Sequence, residues 1–227
     1  DEEESEDLMS TIQEELRRRD RGMAVRLELN QSATLALEAS LRQSLGLTHE
    51  DVSRSEAPLQ LSDLTALSER DHRPELRAEP FTPALPPVLR DAESLFPVLA
   101  RGDILLQHPY DSFDPVTRFI EEAADDPNVL AIKQTLYRIA PDSPIARALS
   151  RAAENGKQVA ALVELKARLD EANNIAWARR MEESGVHVVY GLIGLKTHCK
   201  ITLVVRREGQ GIRRYVHLGT GNYNATT

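Results

Sequence analysis

A histidine and a lysine, His198 and Lys200, stand two residues apart in the last part of the sequence. A neutral imidazole can attack phosphorus to form a phosphohistidine, while an ammonium group holds the phosphate oxygens that do not react. Because residues two apart in a strand share one face, the spacing predicts a common pocket for both side chains. The pair indicates phosphoryl chemistry, although on spacing alone a structural histidine is the commoner interpretation.

A glycine-rich segment further along the chain contains Thr220, Gly221, Asn222 and Asn224. Its backbone N–H groups, hydroxyl and amides are groups that can hold a phosphate. The segment is not a dinucleotide-binding fingerprint, because it follows the last predicted strand instead of opening the first strand–helix turn. Neither a Walker A sequence nor the protein-kinase motifs occur, so phosphoryl transfer would need a different apparatus.

Two arginines, Arg138 and Arg168, each follow a predicted buried strand by a few residues. The carboxyl ends of parallel strands form one edge of a sheet, and that edge commonly carries the site. A third predicted strand ends at Tyr190, and a reversed strand begins at His198. We therefore expect the arginines, the histidine and the glycine-rich segment to meet at one edge.

The elements that position these residues alternate between strand and helix after Arg101. Strands are predicted at 104–106, 129–136, 159–165, 186–190, 199–205 and 212–218, and helices at 114–126, 143–155 and 171–184. This alternation predicts right-handed crossovers and a largely parallel sheet. The short link Glu208–Gly211 predicts a hairpin between the last two strands. In the strand that carries His198, the period of two predicts that Cys199 turns to the opposite, buried face.

Residues 1–70 predict a small acidic α+β domain. Leu8, Ile12 and Leu16 repeat with the spacing of a helix. A strand is predicted at 23–29, followed by a helix that Ser32 caps and that ends at Gly46. A short strand is predicted at 59–61, and a second helix starts at Ser62. Six prolines between Asp71 and Pro97 exclude a continuous helix or a central strand there, so residues 71–100 are predicted to be a linker. Residues 101–227 are predicted to form the second domain.

Composition excludes several classes of protein. The 227 residues are 41% hydrophobic and 28% charged, as in globular chains, and no apolar run is long enough to cross a membrane. A single cysteine rules out an internal disulfide and a cysteine-rich zinc site. The net charge is −10 over residues 1–100 and +2 over residues 101–227, which assigns any polyanionic ligand to the second part. A pI near 5.3 and 4% aromatic residues argue against nucleic acid as a partner.

Several segments in order resemble the class I polyphosphate kinases of the phospholipase D-like superfamily. They are Leu130–Lys133, Leu136–Arg138, Val163–Glu171, Gly185–Val188, Lys196–Lys200 and Gly219–Asn224. The resemblance implies an α/β fold with a phospholipase D-like mixed, largely parallel sheet flanked by helices, preceded by a small α+β head domain. Several linked motifs are far more specific than one histidine–lysine pair.

The resemblance also implies a reaction. The γ-phosphate of ATP would move reversibly to inorganic polyphosphate through a phosphohistidine at His198, leaving ADP. Lys200, Thr220, Gly221, Asn222 and Asn224 would hold the substrate phosphates, and Arg138 and Arg168 take the family's magnesium positions. Since a guanidinium has no lone pair to donate, these arginines are expected to bind phosphate oxygens that carry Mg²⁺.

A phospholipase D-like site needs two related halves, and the sequence contains one. The chain is therefore expected to be an incomplete fragment, inactive alone, of a homo-oligomeric enzyme in the cytoplasm or peripherally associated with the inner membrane surface. Two alternatives remain open. The first is a phospholipase D-like phosphodiesterase with the same nucleophile, and the second is a non-catalytic module that binds polyphosphate or a partner.

Overall fold

The structure, a computed structural model, describes residues 2–20, 22–70, 73–167, 170–191 and 194–224. The chain divides into two compact units, Arg17–Phe81 on the one hand and Asp1–Leu16 with Thr82–Thr227 on the other. Residues 1–16 thus group with the second unit, whereas the sequence predicts them in the first domain. The other predicted domain boundaries stay predictions.

The unit Arg17–Phe81 combines a small sheet with helices. Its strands β1 (Leu27–Asn30) and β2 (Val52–Ser55) pair in parallel around helix α2 (Leu35–Leu45), which is followed by helix α3 (Leu64–Arg70) and by 3₁₀ turns at Leu61–Asp63 and Pro74–Leu76. The crossover through α2 supplies the connection that two parallel neighbours require. This small parallel pair is consistent with the α+β character predicted for the region.

Two predictions in this unit are wrong. Ser32 does not cap α2, because it bonds back to Asn30 Oδ1 in a turn, and Thr34 Oγ1 accepts the N–H of Leu37 instead. Residues 59–61 do not form a strand; the second strand is β2, which lies earlier in the chain. Pro58 directly precedes the predicted strand, and proline cannot donate a ladder hydrogen bond.

The second unit contains a five-stranded sheet with its helices. The helices are α1 (Glu2–Asp20), whose first part belongs here, α4 (Pro87–Arg90), α5 (Leu95–Leu99), α6 (Asp114–Asp125), α7 (Pro144–Glu154) and α8 (Glu171–Glu183). The strands are β3 (Val129–Leu136), β4 (Gln158–Val163), β5 (His187–Tyr190), β6 (Lys200–Glu208) and β7 (Gly211–Gly219), in the spatial order β5-β4-β3-β6-β7.

The sheet is mixed, as predicted. Strands β3, β4 and β5 are parallel neighbours, and β6 runs antiparallel to both β3 and β7. Four strands therefore share one direction, but two of the four neighbouring pairs are antiparallel, so "largely parallel" holds for strand direction and not for pairing. The predicted hairpin is confirmed, since Glu208 pairs with Gly211.

Local chemistry explains why these elements begin and end where they do. Ser143 Oγ accepts the N–H of Ala146 at the start of α7, Pro144 occupies the first turn, and Gly156 follows the end of the helix with a φ of 81°. Along β3, Ile132 and Leu136 are buried on the face that meets the helices. Helix ends and strand faces together fix where the sheet edge lies.

The predicted strand at 104–106 is not present. Ile104 and Leu106 pack against the core while Leu105 is 91% exposed, which is the alternation of an extended segment. Among the described residues no strand pairs with this segment, so the pattern of apolar residues is correct but the ladder is missing.

Candidate active site

Strand register brings the predicted site segments to one edge of the sheet. Leu136 at the end of β3 pairs with Val163 at the end of β4, and Val163 pairs with Tyr190 at the end of β5. At the same edge β6 begins with Lys200, which pairs with Gly219 at the end of β7. One edge of the sheet therefore carries the loops after β3, β4 and β7 together with the segment before β6.

The aromatic ring of Tyr137, directly after β3, lies between charged and nucleophilic groups. The imidazole of the exposed His198 meets it edge-on, with 5.2 Å between ring centroids. The Nζ atoms of Lys196 and Lys200 lie 5.4 Å and 5.2 Å from the centroid of the same ring. The lysine distances are within the range of a cation–π attraction, so one imidazole and two ammonium groups lie close to the ring of Tyr137.

The buried face of β6 is the one opposite to that predicted for Cys199. Lys200 and Thr202 are buried, at 4% and 0% exposed, whereas Cys199 is exposed. The prediction that Cys199 turns to a buried face is wrong, because the face of β6 that meets the helices carries the polar residues. Within the described parts of the chain Lys200 forms no salt bridge, so no carboxylate there neutralises its charge.

A row of hydrogen-bonded side chains crosses β3, β6 and β7 beside Lys200. Gln134 Nε2 donates to the carbonyl of Thr135, so Gln134 Oε1 accepts the hydroxyl of Thr202 at 2.6 Å. The hydroxyls of Thr202 and Tyr223 are hydrogen-bonded at 2.9 Å, and the hydroxyl of Tyr223 is hydrogen-bonded to Nδ1 of His217 at 2.8 Å. The row therefore joins β3, β6 and β7 to the segment after β7.

Burial sets the protonation states in this row. It lowers the pKa of His217 from 6.5 to about 4, with a smaller contribution from the charge of His108. Burial also raises the pKa of Tyr223 to about 12. At neutral pH both groups are therefore uncharged, because burial disfavours their charged forms.

The segment with Thr220, Gly221, Asn222 and Asn224 follows β7 directly. Tyr223, 4% exposed, holds this segment to the sheet through the row just described. The backbone N–H of Asn224 donates to the carbonyl of Asn222 at 2.8 Å, and Thr220 and Gly221 are exposed. The segment begins directly after Gly219, which pairs with the buried Lys200.

Arg138 follows Tyr137 in the loop after β3. Its Nε atom is 3.1 Å from Asp170 Oδ2, and the two side chains are 42% and 36% exposed. Arg168, the second arginine predicted for the site, lies outside the described residues. The roles predicted for both arginines stay predictions, as do those of His198 and Lys200.

Two buried polar residues organise the loops after β3 and β4. Asn174 on α8, 0% exposed, accepts the N–H of Ile139 at 3.3 Å and donates to the carbonyls of Tyr137 at 2.7 Å and Glu164 at 3.0 Å. The carboxylate of Glu164 accepts two backbone N–H groups, those of Lys166 and Thr197. Helix α8 therefore holds both loops at the site edge.

Sequence reasoning gave no role to Tyr137, Glu164, Asn174 or Tyr223. For Glu164 a signal was present, since an acidic residue stands between Val163 and Leu165 in a strand that is otherwise apolar. Acidic residues are rarely buried unless they are paired or hydrogen-bonded. The partners themselves come from distant parts of the chain, and no local pattern names them.

The site edge has no ready-made metal centre. In the described ranges no group of three or more His, Cys, Asp or Glu side chains is arranged to hold a metal ion.

A cavity of about 670 Å³ lies elsewhere, between β7 and residues 99–106, and His217 lines it whereas His198, Lys200 and Arg138 do not. In the same ranges no helix is long and apolar enough to cross a membrane.

Comparison with known proteins places this site in a family. Residues 94–227 match the family model of the polyphosphate kinase C-terminal domain 1, and residues 1–67 match that of the polyphosphate kinase middle domain.

The polyphosphate kinases of Mycolicibacterium gilvum and Mycobacterium tuberculosis H37Rv are 55% and 54% identical over 231 residues, covering 100% of this chain and 32% and 31% of theirs. The crystal structure of polyphosphate kinase from Porphyromonas gingivalis has a TM-score of 0.71 at 35% identity, over 89% of this chain and 31% of that one. The chain thus spans about a third of the length of the curated relatives it matches. Because the first family model covers more than half of the residues, the chain belongs to the polyphosphate kinase family.

Proposed function

We propose that the chain forms part of an enzyme that transfers the γ-phosphate of ATP reversibly to inorganic polyphosphate, with His198 as the phosphorylated nucleophile. The observation that carries this proposal is the position of an exposed imidazole beside the Lys196 and Lys200 ammonium groups, at one sheet edge of a chain from this family. The two ammonium groups attract phosphate.

The mechanism follows from what each group can do. The neutral imidazole of His198 forms a bond to the γ-phosphorus of ATP while the bond from that phosphorus to the β–γ bridging oxygen breaks, which releases ADP. Lys200, together with the backbone and side chains of Thr220, Gly221, Asn222 and Asn224, would hold the phosphate oxygens. A terminal oxygen of polyphosphate then takes the phosphoryl group and frees His198.

Magnesium belongs to this proposal as a companion of the substrate. Arg138 occupies a predicted magnesium position, yet its guanidinium has no lone pair and lies 3.1 Å from Asp170. The described residues therefore do not fit a protein-held Mg²⁺. We expect the ion to arrive bound to ATP, with Arg138 holding phosphate oxygens, and Arg168 is expected to do the same.

The phospholipase D-like arrangement is part of the proposal. It is supported by the reversed strand β6, which begins at Lys200 at the edge formed by the ends of β3, β4 and β5. Such a site uses two related halves, and we propose that this chain supplies one of them. The homo-oligomer and the membrane-surface association predicted from the sequence stay predictions.

The test is phosphorylation of the complete enzyme with γ-phosphate-labelled ATP and Mg²⁺. We expect acid-labile, alkali-stable label in the wild type and none in His198→Gln. His187→Gln is the matched control, because His187 is also exposed but lies at the opposite end of its strand. Label that persists in His198→Gln would disprove the assignment of the nucleophile, and hydrolysis of ATP without transfer to polyphosphate would favour a hydrolase over a kinase.

A further inference from the structure

A buried carboxylate lies next to the segment that carries the proposed nucleophile. Glu164, which directly follows β4, is 2% exposed. Its Oε1 accepts the backbone N–H of Lys166 at 3.0 Å, and its Oε2 accepts the backbone N–H of Thr197 at 2.7 Å. A buried charge is costly unless hydrogen bonds satisfy it, so the two bonds account for its presence here.

The bond to Thr197 holds the residue directly before His198. Residues 195–199 form no helix or strand, so a ladder of hydrogen bonds does not fix them. On the other side of His198, the hydroxyl of Thr135 donates to the carbonyl of Cys199 at 2.7 Å and accepts the N–H of Ile201 at 3.0 Å. The backbone is thus held on both sides of an exposed imidazole.

We infer that Glu164 is a positioning residue for His198, with Thr135 completing the same function from β3. This inference rests on the proposed function, because it assigns Glu164 a part in the phosphorylation of His198. Glu164 touches neither substrate nor the reacting nitrogen, and it acts through the backbone. Reacting atoms must lie within a narrow range of distance and angle, and a displacement of about 1 Å can slow a reaction about 100-fold.

The chemistry at this position requires a carboxylate. Two backbone N–H donors converge on the two oxygens of Glu164, and a carboxylate accepts on both. Glutamine has the same shape but only one oxygen. In Glu164→Gln its NH₂ group would have to face one of the two N–H donors, so one bond is lost wherever the amide turns.

The test is single-turnover phosphorylation of the complete enzyme by γ-phosphate-labelled ATP. We expect Glu164→Gln to lower the rate constant for labelling His198 about 10- to 100-fold. We also expect the final fraction of labelled protein and the half-saturating ATP concentration to stay within about twofold of wild type, because substrate contacts are retained. Glu183→Gln, an exposed position at the end of α8, is the matched control and should label at the wild-type rate.

A second pair of variants keeps the test decisive if Glu164→Gln folds poorly. Thr135→Val removes the hydroxyl and should slow labelling, whereas Thr135→Ser retains the hydroxyl and should restore it. A purely structural role would lower the labelled fraction and leave the rate constant unchanged.

That result, or wild-type rate constants in both Glu164→Gln and Thr135→Val, overturns the inference. Absence of label on His198 in the wild type would instead overturn the proposed function.

Discussion

The two sides of the candidate site are held by different kinds of hydrogen bond. On the side of β3 and β4, the buried side chains of Asn174 and Glu164 bond to backbone groups of the neighbouring loops. On the side of β6 and β7, the row through Thr202, Tyr223 and His217 joins side chains to one another. The structure of the first side depends on the shape of two polar side chains. The structure of the second side also depends on the protonation state of His217.

This difference indicates which kind of change should destabilise each side. Backbone N–H and C=O groups that lose a buried partner remain unsatisfied, because the backbone cannot be removed. A row of side chains can be disturbed by a proton, since burial disfavours the charged form of His217. We therefore expect substitutions to damage the first side most, and acid to damage the second.

The largest effect is expected for Asn174→Leu, which keeps the approximate shape and removes three hydrogen bonds. The N–H of Ile139 and the carbonyls of Tyr137 and Glu164 would lose their partner in the interior. At about 1 to 3 kcal/mol for each unsatisfied group, partly relieved by relaxation, the free energy of unfolding should fall by about 4 kcal/mol. Chemical denaturation of the chain measures this value.

The control is the neighbouring Asn173, whose Nδ2 donates to the carbonyl of Ile139 at 2.5 Å from a partly exposed position. Asn173→Ala should cost about 1 kcal/mol, because water can replace the lost partner. Equal losses in the two variants would contradict a special role for Asn174 in holding the first side.

Acid should weaken the second side through His217. Above pH 6.5 the imidazole is neutral in both folded and unfolded chains, whereas between pH 6.5 and about 4 only the unfolded chain binds the proton. Stability therefore falls as the pH falls through this window, by about 3 kcal/mol from this group, and the effect saturates below about pH 4. Denaturation measured at several pH values gives the slope.

Other groups titrate in acid, so the comparison needs a variant that lacks the imidazole. His217→Asn replaces the imidazole with an amide, which is polar and does not titrate. Its free energy of unfolding should depend less on pH between 6.5 and 4 than that of the wild type. Parallel pH curves for the two proteins would show that His217 is not the titrating group.

A smaller effect is expected for Tyr223→Phe, which removes only the hydroxyl between Thr202 and His217. We expect a loss of about 1 to 2 kcal/mol, because two buried groups each lose one neutral hydrogen bond. Combining it with Thr202→Val in a double-mutant cycle should give a coupling energy of about 1 kcal/mol. Additive losses would show that the two hydroxyls do not act as one row.

The sequence predicts the second unit well because local signals there agree with tertiary packing. Strand β3 matches the prediction residue for residue, and α7 starts and stops where Ser143, Pro144 and Gly156 indicate. Register then follows from strand order, which brings Lys200 to the site edge. Local chemistry and the alternation of strands and helices are sufficient to predict these elements and their register.

The sequence predicts less where the outcome depends on distant partners. The inward direction of Thr202 follows from the polar row, whose members lie on β3, β6, β7 and the segment after β7. In the other unit Met23 and Val25 are 91% and 82% exposed, so the alternation that predicts strand residues there does not reflect burial. Periodicity reports a local pattern, and a strand also needs a neighbour to pair with.

The smallest effect on stability is expected at the ion pair between Arg138 and Asp170, although it lies on the strongly held first side. Both side chains are more than a third exposed, and exposed ion pairs contribute about 0 to 1 kcal/mol. Asp170→Asn should therefore change the free energy of unfolding by less than about 0.5 kcal/mol, and added salt should change it little further. A loss as large as that of Asn174→Leu would mean that the ion pair, and not the buried amide, holds the loop after β3. A small loss would show that Arg138 can exchange Asp170 for phosphate without weakening the fold.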